Sequence, residues 1–240
     1  MLFRSDEYIE RFYFKDQSLF RGVSNPRSIS DKELTTYFEN FNGRYASELA
    51  RSNYDERLKL ARLSMLQFNA DVLDGRVIDE ATQHAAKHVG FESPNSAKTY
   101  FVSTTSLDTV AFRFAADRGY VTRTSANREG NTHFIVETFR PRHGAVDFGS
   151  FKLTNPEWKN YYPRQKEVAL AGGIDPSAVR RIYVIGPYGP GERIPTSGPE
   201  KHGKILKIFE RDGENPNRIW TLLRNSKGEW ERSASSEIGK

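Results

Sequence analysis

The sequence predicts an α+β fold, because helical patterns gather in roughly its first ninety residues and strand patterns fill most of the remainder. The βαβ alternation that would specify a doubly wound sheet is missing. So are the GxGxxG and phosphate-loop patterns that would cradle a nucleotide in a Rossmann or P-loop protein.

In chain order, residues 17 to 23, Gln-Ser-Leu-Phe-Arg-Gly-Val, are short and partly apolar, and Ser24, Asn25 and Pro26 close them, which predicts a strand. Ser30 with Glu33 forms a capping-box pattern, and Leu34, Tyr37, Phe38, Phe41 and Tyr45 recur at helical spacing behind it. A second helix is expected over Tyr54 to Leu73, with Leu58, Leu60, Ala61, Met65 and Phe68 on its apolar side and Asp74-Gly75 ending it. A third, short helix runs from about Asp79 to Val89. Strands follow. Thr99 to Thr105 is the first, and Thr105 or Ser106 can cap a helix whose apolar face is Val110, Ala111 and Phe114, before Gly119. His133 to Phe139 alternates cleanly, Val179 to Ile185 less so, and Asp147 to Leu153 is weaker. Between them, 154 to 164 is a loop rich in Asn, Pro and aromatic residues.

After Gly186 the composition shifts to Gly and Pro, which places a domain connection there. Residues 1 to 186 form the principal domain, and 187 to 240 form a small β-rich extension packed on it. Within the extension, turn signals at Asp212-Gly213 and Lys227-Gly228 separate two or three antiparallel strands, and Ser233 to Lys240 reads as frayed.

Composition bounds the function. Apolar residues make up 37% of the 240, and cations exceed carboxylates by five. That supports a soluble core and a mild preference for polyanionic partners, or simply a solvated basic surface. With no cysteine, disulfides, thiolate metal sites and cysteine nucleophiles are excluded. The first residues mix charged with apolar side chains, unlike a secretory signal, and no apolar run is long enough for a membrane helix. A cytoplasmic location, or export without a cleavable signal, is expected.

Three short motifs stand in a fixed order: Phe20-Arg21-Gly22 in an early strand, Phe101-Val102-Ser103-Thr104-Thr105 at a strand end before a helix, and Gln165-Lys166-Glu167 opening another strand. Each alone is weak. Together they resemble the arginine, serine-threonine-serine and glutamate motifs of the cholera-toxin-like mono-ADP-ribosyltransferases, over about residues 17 to 186. The third hydroxyl position departs from that pattern, since Thr105 stands where the family has serine.

The resemblance implies split antiparallel sheets beside an N-terminal helical segment, with NAD consumed as a substrate and no metal required. Arg21 would hold the NAD phosphates or the nearby ribose, a task suited to a planar bidentate donor. Ser103 would orient Glu167, whose carboxylate stabilises the oxocarbenium-like state as nicotinamide leaves. Gly22, Thr104 and Thr105 complete the implied NAD-binding set. Gln165 lies on the same side of the strand as Glu167, and glutamine there accompanies acceptors other than arginine. Trp158, Tyr161 and Tyr162 resemble the family's acceptor-recognition residues; such rings either stack on a base or fill an apolar socket.

A macromolecular acceptor, protein or nucleic acid, is therefore the implied partner. The resemblance is to bacterial toxins and effectors, and it leaves room for a cognate inhibitor protein. Two alternatives use the same sequence differently. One is an NAD glycohydrolase with water as acceptor. The other is a non-catalytic nucleic-acid-binding module carried by the positive charge and by Trp158, Tyr161, Tyr162, Trp220 and Trp230. His133 and His143 lack a metal-ligand pattern, and Arg118, Arg123, Arg128, Arg140 and Arg142 read more simply as a solvated rim than as a binding surface.

Overall fold

The computed structural model describes residues 6–25, 28–39, 101–116, 132–142, 145–147, 166–171 and 173–238. The helices expected over 54 to 73 and 79 to 89, and the loop 154 to 164, lie outside these residues.

The chain starts with a short helix that sequence analysis does not anticipate, α1 (Asp6–Phe12), running straight into β1 (Tyr13–Asn25). Ile9 and Tyr13 bury against Ala178, and the Tyr8 and Tyr13 hydroxyls donate to Asp175 Oδ2 at 3.2 and 2.8 Å. β1 is longer than the expected 17 to 23 because a register irregularity between Phe14 and Ser18 breaks the alternation that would mark its first half. Helix α2 (Asp31–Thr35) carries the anticipated capping box: the Ser30 hydroxyl accepts the Glu33 N–H, and Glu33 reaches back to the Ser30 N–H. A 3₁₀ turn at Thr36–Phe38 tightens its end and buries Tyr37 and Phe38. Phe41 and Tyr45 lie beyond the described residues.

β2 (Phe101–Thr105) leads into helix α3 (Asp108–Ala115). Two expectations for α3 need correction. Its N-cap is Leu107, not Thr105 or Ser106, because the Thr105 hydroxyl instead accepts the Leu107 N–H at 3.1 Å and turns the chain one step ahead of the helix. Its buried face is Ala111, Phe112 and Ala115, and Phe114 is 45% exposed. The helix begins one residue later than a Ser106 cap would start it and two later than a Thr105 cap would, and the face turned to the sheet is correspondingly different.

The remaining strands are β3 (Thr132–Pro141), β4 (Ala145–Asp147), β5 (Glu167–Ala171), β6 (Val179–Gly186), β7 (Lys204–Arg211), β8 (Arg218–Arg224) and β9 (Trp230–Glu237). They form one mostly antiparallel sheet in the order β4-β5-β2-β1-β3-β6-β7-β8-β9. β2 meets β1 at the single register pair Phe20↔Thr105, whereas β1 pairs with β3 along most of its length. The expected fraying from Ser233 is not found: residues up to Glu237 pair with β8, where Arg218↔Glu237 closes the ladder. β7 hydrogen-bonds directly to β6, and Phe209 and Ile219 join the same buried cluster as Leu19 and Phe134, so the segment after Gly186 extends the sheet and its core.

Alternation divides the sheet into two faces. Leu19, Val23, Phe134, Val136, Ile182 and Val184 face the larger apolar cluster, which α2 covers through Leu34. Ile135 and Ile185 face α3 through Ala111, Phe112 and Ala115. Gly22 sets how closely α3 lies. A Cβ there would stand 2.0 Å from the Ala111 carbonyl oxygen and 2.6 Å from the Ala115 nitrogen, so only glycine lets the helix backbone rest on β1. Among the described residues, no helix is long and apolar enough to cross a membrane.

Candidate functional site

The strand junction that holds the sheet together also assembles the site. β5 pairs with β2 so that Thr105 lies opposite Glu167, and β1 touches β2 at Phe20↔Thr105. Arg21, Ser103 and Glu167, far apart in sequence, therefore come from three neighbouring strands. Arg21 Nη1 donates to the Ser103 carbonyl oxygen at 2.7 Å. The Ser103 hydroxyl donates to Glu167 Oε1 in a short hydrogen bond.

Glu167 is 6% exposed. Burial raises its pKa above the ordinary carboxylate value, and the Ser103 hydroxyl and the nearby Arg21 charge pull against that shift without cancelling it. The carboxylate is thus oriented by a hydroxyl, faced by a guanidinium and largely removed from bulk water. Such a group accepts a hydrogen bond from a substrate hydroxyl and stabilises adjacent positive charge more strongly than it could in water.

Backbone geometry supports this placement. Lys166, immediately before Glu167, has φ 46°, in the left-handed region that a non-glycine side chain rarely adopts. Its carbonyl accepts the Ser106 N–H at 3.2 Å, tying the start of β5 to the turn that leads into α3. A strained residue of this kind costs about 1–3 kcal/mol and persists because its surroundings fix it.

The other expected residues divide into two groups. Gly22 adjoins Arg21, and its missing side chain makes room for α3. Thr104 is buried and its hydroxyl donates to the Val168 carbonyl at 2.5 Å, locking β2 to β5, while Thr105 supports the turn before α3. These hydroxyls hold the strand that presents Ser103. Gln165, Trp158, Tyr161 and Tyr162 lie outside the described residues, as do His143, Arg118, Arg123 and Arg128. His133 Nδ1 donates to the Ala115 carbonyl at 2.8 Å. Arg142 lies over the Phe14 ring at 4.4 Å, and Arg140 stands 3.9 Å from Asp147. Among the described residues no group of His, Asp and Glu is placed to hold a metal ion.

One buried polar cluster was not anticipated from the sequence. Glu137, 4% exposed on β3, accepts from the Ser18 hydroxyl at 2.7 Å, the Tyr183 hydroxyl at 2.5 Å and Arg180 Nη1 at 3.1 Å. Burial and the Glu137 charge raise the Tyr183 pKa, so its hydroxyl stays protonated and donates. The available signal was a glutamate inside the alternating 133 to 139 run, at a position shared with Ile135. No family model, no curated protein and no solved structure matches this chain.

Proposed function

We propose that the chain is an NAD-consuming mono-ADP-ribosyltransferase, a glycosyl-transfer enzyme of the toxin or effector kind. The observation that carries this reading is the buried Glu167 carboxylate, hydrogen-bonded by the Ser103 hydroxyl, with Arg21 bonded to the backbone of the same serine. Nicotinamide leaves as a neutral group while positive charge grows on the anomeric carbon. A carboxylate held at the ribose 2′-hydroxyl stabilises that charge, and its burial strengthens the effect. Arg21 would hold the diphosphate. The sparse β1–β2 contact, which separates β4-β5-β2 from the six other strands, supports an ADP-ribosyltransferase-like split sheet with the NAD cleft at the junction.

The acceptor on this reading is a macromolecule, and Gln165 argues against arginine as the modified residue. A cell lysate incubated with the protein and labelled NAD, then digested separately with protease and with nuclease, tests the proposal. Label on one class of macromolecule together with nicotinamide release is the expected result. Free ADP-ribose with no labelled macromolecule would assign the site to NAD hydrolysis, and intact NAD would overturn both.

A further inference from the structure

β6 carries a bulge on the side of the sheet that holds Glu137. Register passes from Glu137↔Arg181 to Thr138↔Val179, leaving Arg180 as the extra residue, and the bulge turns two consecutive arginines toward one carboxylate. Arg180 Nη1 lies 3.1 Å and Arg181 Nη1 3.7 Å from Glu137. Beside them opens a groove of about 380 Å³, lined by Lys15, Phe139, Arg180, Arg181 and Arg232. That volume falls within the range of ligand sites.

Net charge does not distinguish this groove, since Glu210 and Asp212 line it too and Glu10 pairs with Lys15 at 2.9 Å. Its uncommitted hydrogen-bond donors do. Arg181 is consumed by Glu210, at 2.7 and 2.6 Å. Arg180 commits only Nη1, to Ser18 and Glu137, and lies over the Phe139 ring at 4.7 Å. Arg232 lies over the Trp220 ring at 4.8 Å and comes no nearer than 3.9 Å to Glu210. Arg218 lies over the same ring at 5.6 Å and stands 3.6 Å from Asp212. Among the described residues, three guanidinium groups are thus held by aromatic rings with most of their N–H groups unspent. Trp220 itself is anchored by its Nε1–H on Asp212 at 2.9 Å.

A ligand that answers this arrangement offers acceptor-only anionic oxygens at intervals and flat faces that stack. Arg180 on β6 and Arg232 on β9 sit on strands three spacings apart, about 14 Å between backbones, so the donors are spread across the sheet. An acidic peptide has the anions without the planes, whereas unpaired bases stack on aromatic rings and on arginine planes. We propose that this groove and the adjoining Trp220 surface bind single-stranded nucleic acid, the arginines taking its phosphates. Register pairs lead from Glu167 through Thr105, Phe20 and Glu137 to Arg181, four strand spacings or about 19 Å, so the surface is separate from the Glu167 site.

The test is independent of NAD chemistry. Full-length protein carrying Glu167→Gln is titrated, without NAD, into fluorescein-labelled mixed-sequence single-stranded DNA and RNA, and anisotropy is read at several salt concentrations. Three phosphate contacts predict a slope of about −2 in log affinity against log salt. Arg218→Gln with Arg232→Gln should weaken binding about tenfold and flatten the slope by roughly 1.4, with an unchanged melting temperature. Arg180→Gln should weaken it in the same direction. Absence of saturable binding, binding unaffected by the double substitution in folded protein, or tighter binding to a polyglutamate peptide would overturn the inference.

Discussion

Replacing Glu167 with glutamine separates what the residue does for chemistry from what it costs the fold. The change is nearly isosteric, and the new amide oxygen still accepts from the Ser103 hydroxyl, so what is lost is the charge. On the proposed reading that charge acts mainly in the transition state, where such electrostatic stabilisation is worth about 3 kcal/mol, or roughly a hundredfold in turnover. Stability should move the other way. Burial lifts the folded-state pKa of Glu167 above the ordinary 4.5, so the folded chain holds this proton more tightly than the unfolded chain does. The residue's contribution to stability is then fully present below pH 4.5 and is lost as pH rises through the raised value. Glutamine never ionises and avoids that loss. The substituted protein should melt higher than the parent at neutral and alkaline pH, and the gap should close in acid. In a chain of this size each kcal/mol is read as about 2–4 °C. Nicotinamide release and thermal melting across a pH series, on the same preparations, check both halves. The parent's activity should show an acid limb displaced above the ordinary carboxylate range. Near-normal turnover in folded Glu167→Gln would refute the catalytic assignment, and a lower melting temperature at neutral pH would refute the account of burial.

Gly22→Ala would bring a Cβ to 2.0 Å from a backbone oxygen of α3, forcing the helix off β1. A loss of about 1–3 kcal/mol is expected, measured by denaturant unfolding, and unchanged stability would contradict the close-packing role. Arg21→Ala should weaken NAD binding in calorimetric titration, while Trp158→Ala should leave it nearly unchanged; equal losses would remove the division between donor and acceptor sites. Gln165→Ala should spare nicotinamide release and reduce label on the macromolecule, whereas Glu167→Ala should abolish both. Arg211, whose pKa desolvation pulls down to about 10, donates to the carbonyls of Phe38, Pro176, Val179 and Pro216. Arg211→Leu leaves those acceptors without these donors and should cost roughly 3 kcal/mol or more, read as a lower melting temperature.

Local chemistry in the sequence was enough to place the Ser30 and Glu33 cap, the strand at Phe101–Thr105, the helix after it and the turns at Asp212-Gly213 and Lys227-Gly228. Each depends on a side chain meeting its own backbone or on a short alternating run, so nearby residues suffice. The candidate residues Arg21, Ser103 and Glu167 were also legible, through their types and their order. Their juxtaposition was implied only by the resemblance and not by the residue pattern itself, because it arises from strand pairings between segments 64 and 82 residues apart. The same limit hid the first half of β1, where a register irregularity removes the alternation that would reveal it. It hid the apolar face of α3 as well, since the turn that Thr105 makes with Leu107 fixes where the helix starts. Glu137, Arg211 and the bulged Arg180 look like ordinary surface charges in the sequence. Only the tertiary structure made one a buried carboxylate, another a donor to enclosed carbonyls and the third a stacked guanidinium, because burial and hydrogen-bond partners come from distant strands and not from neighbours along the chain.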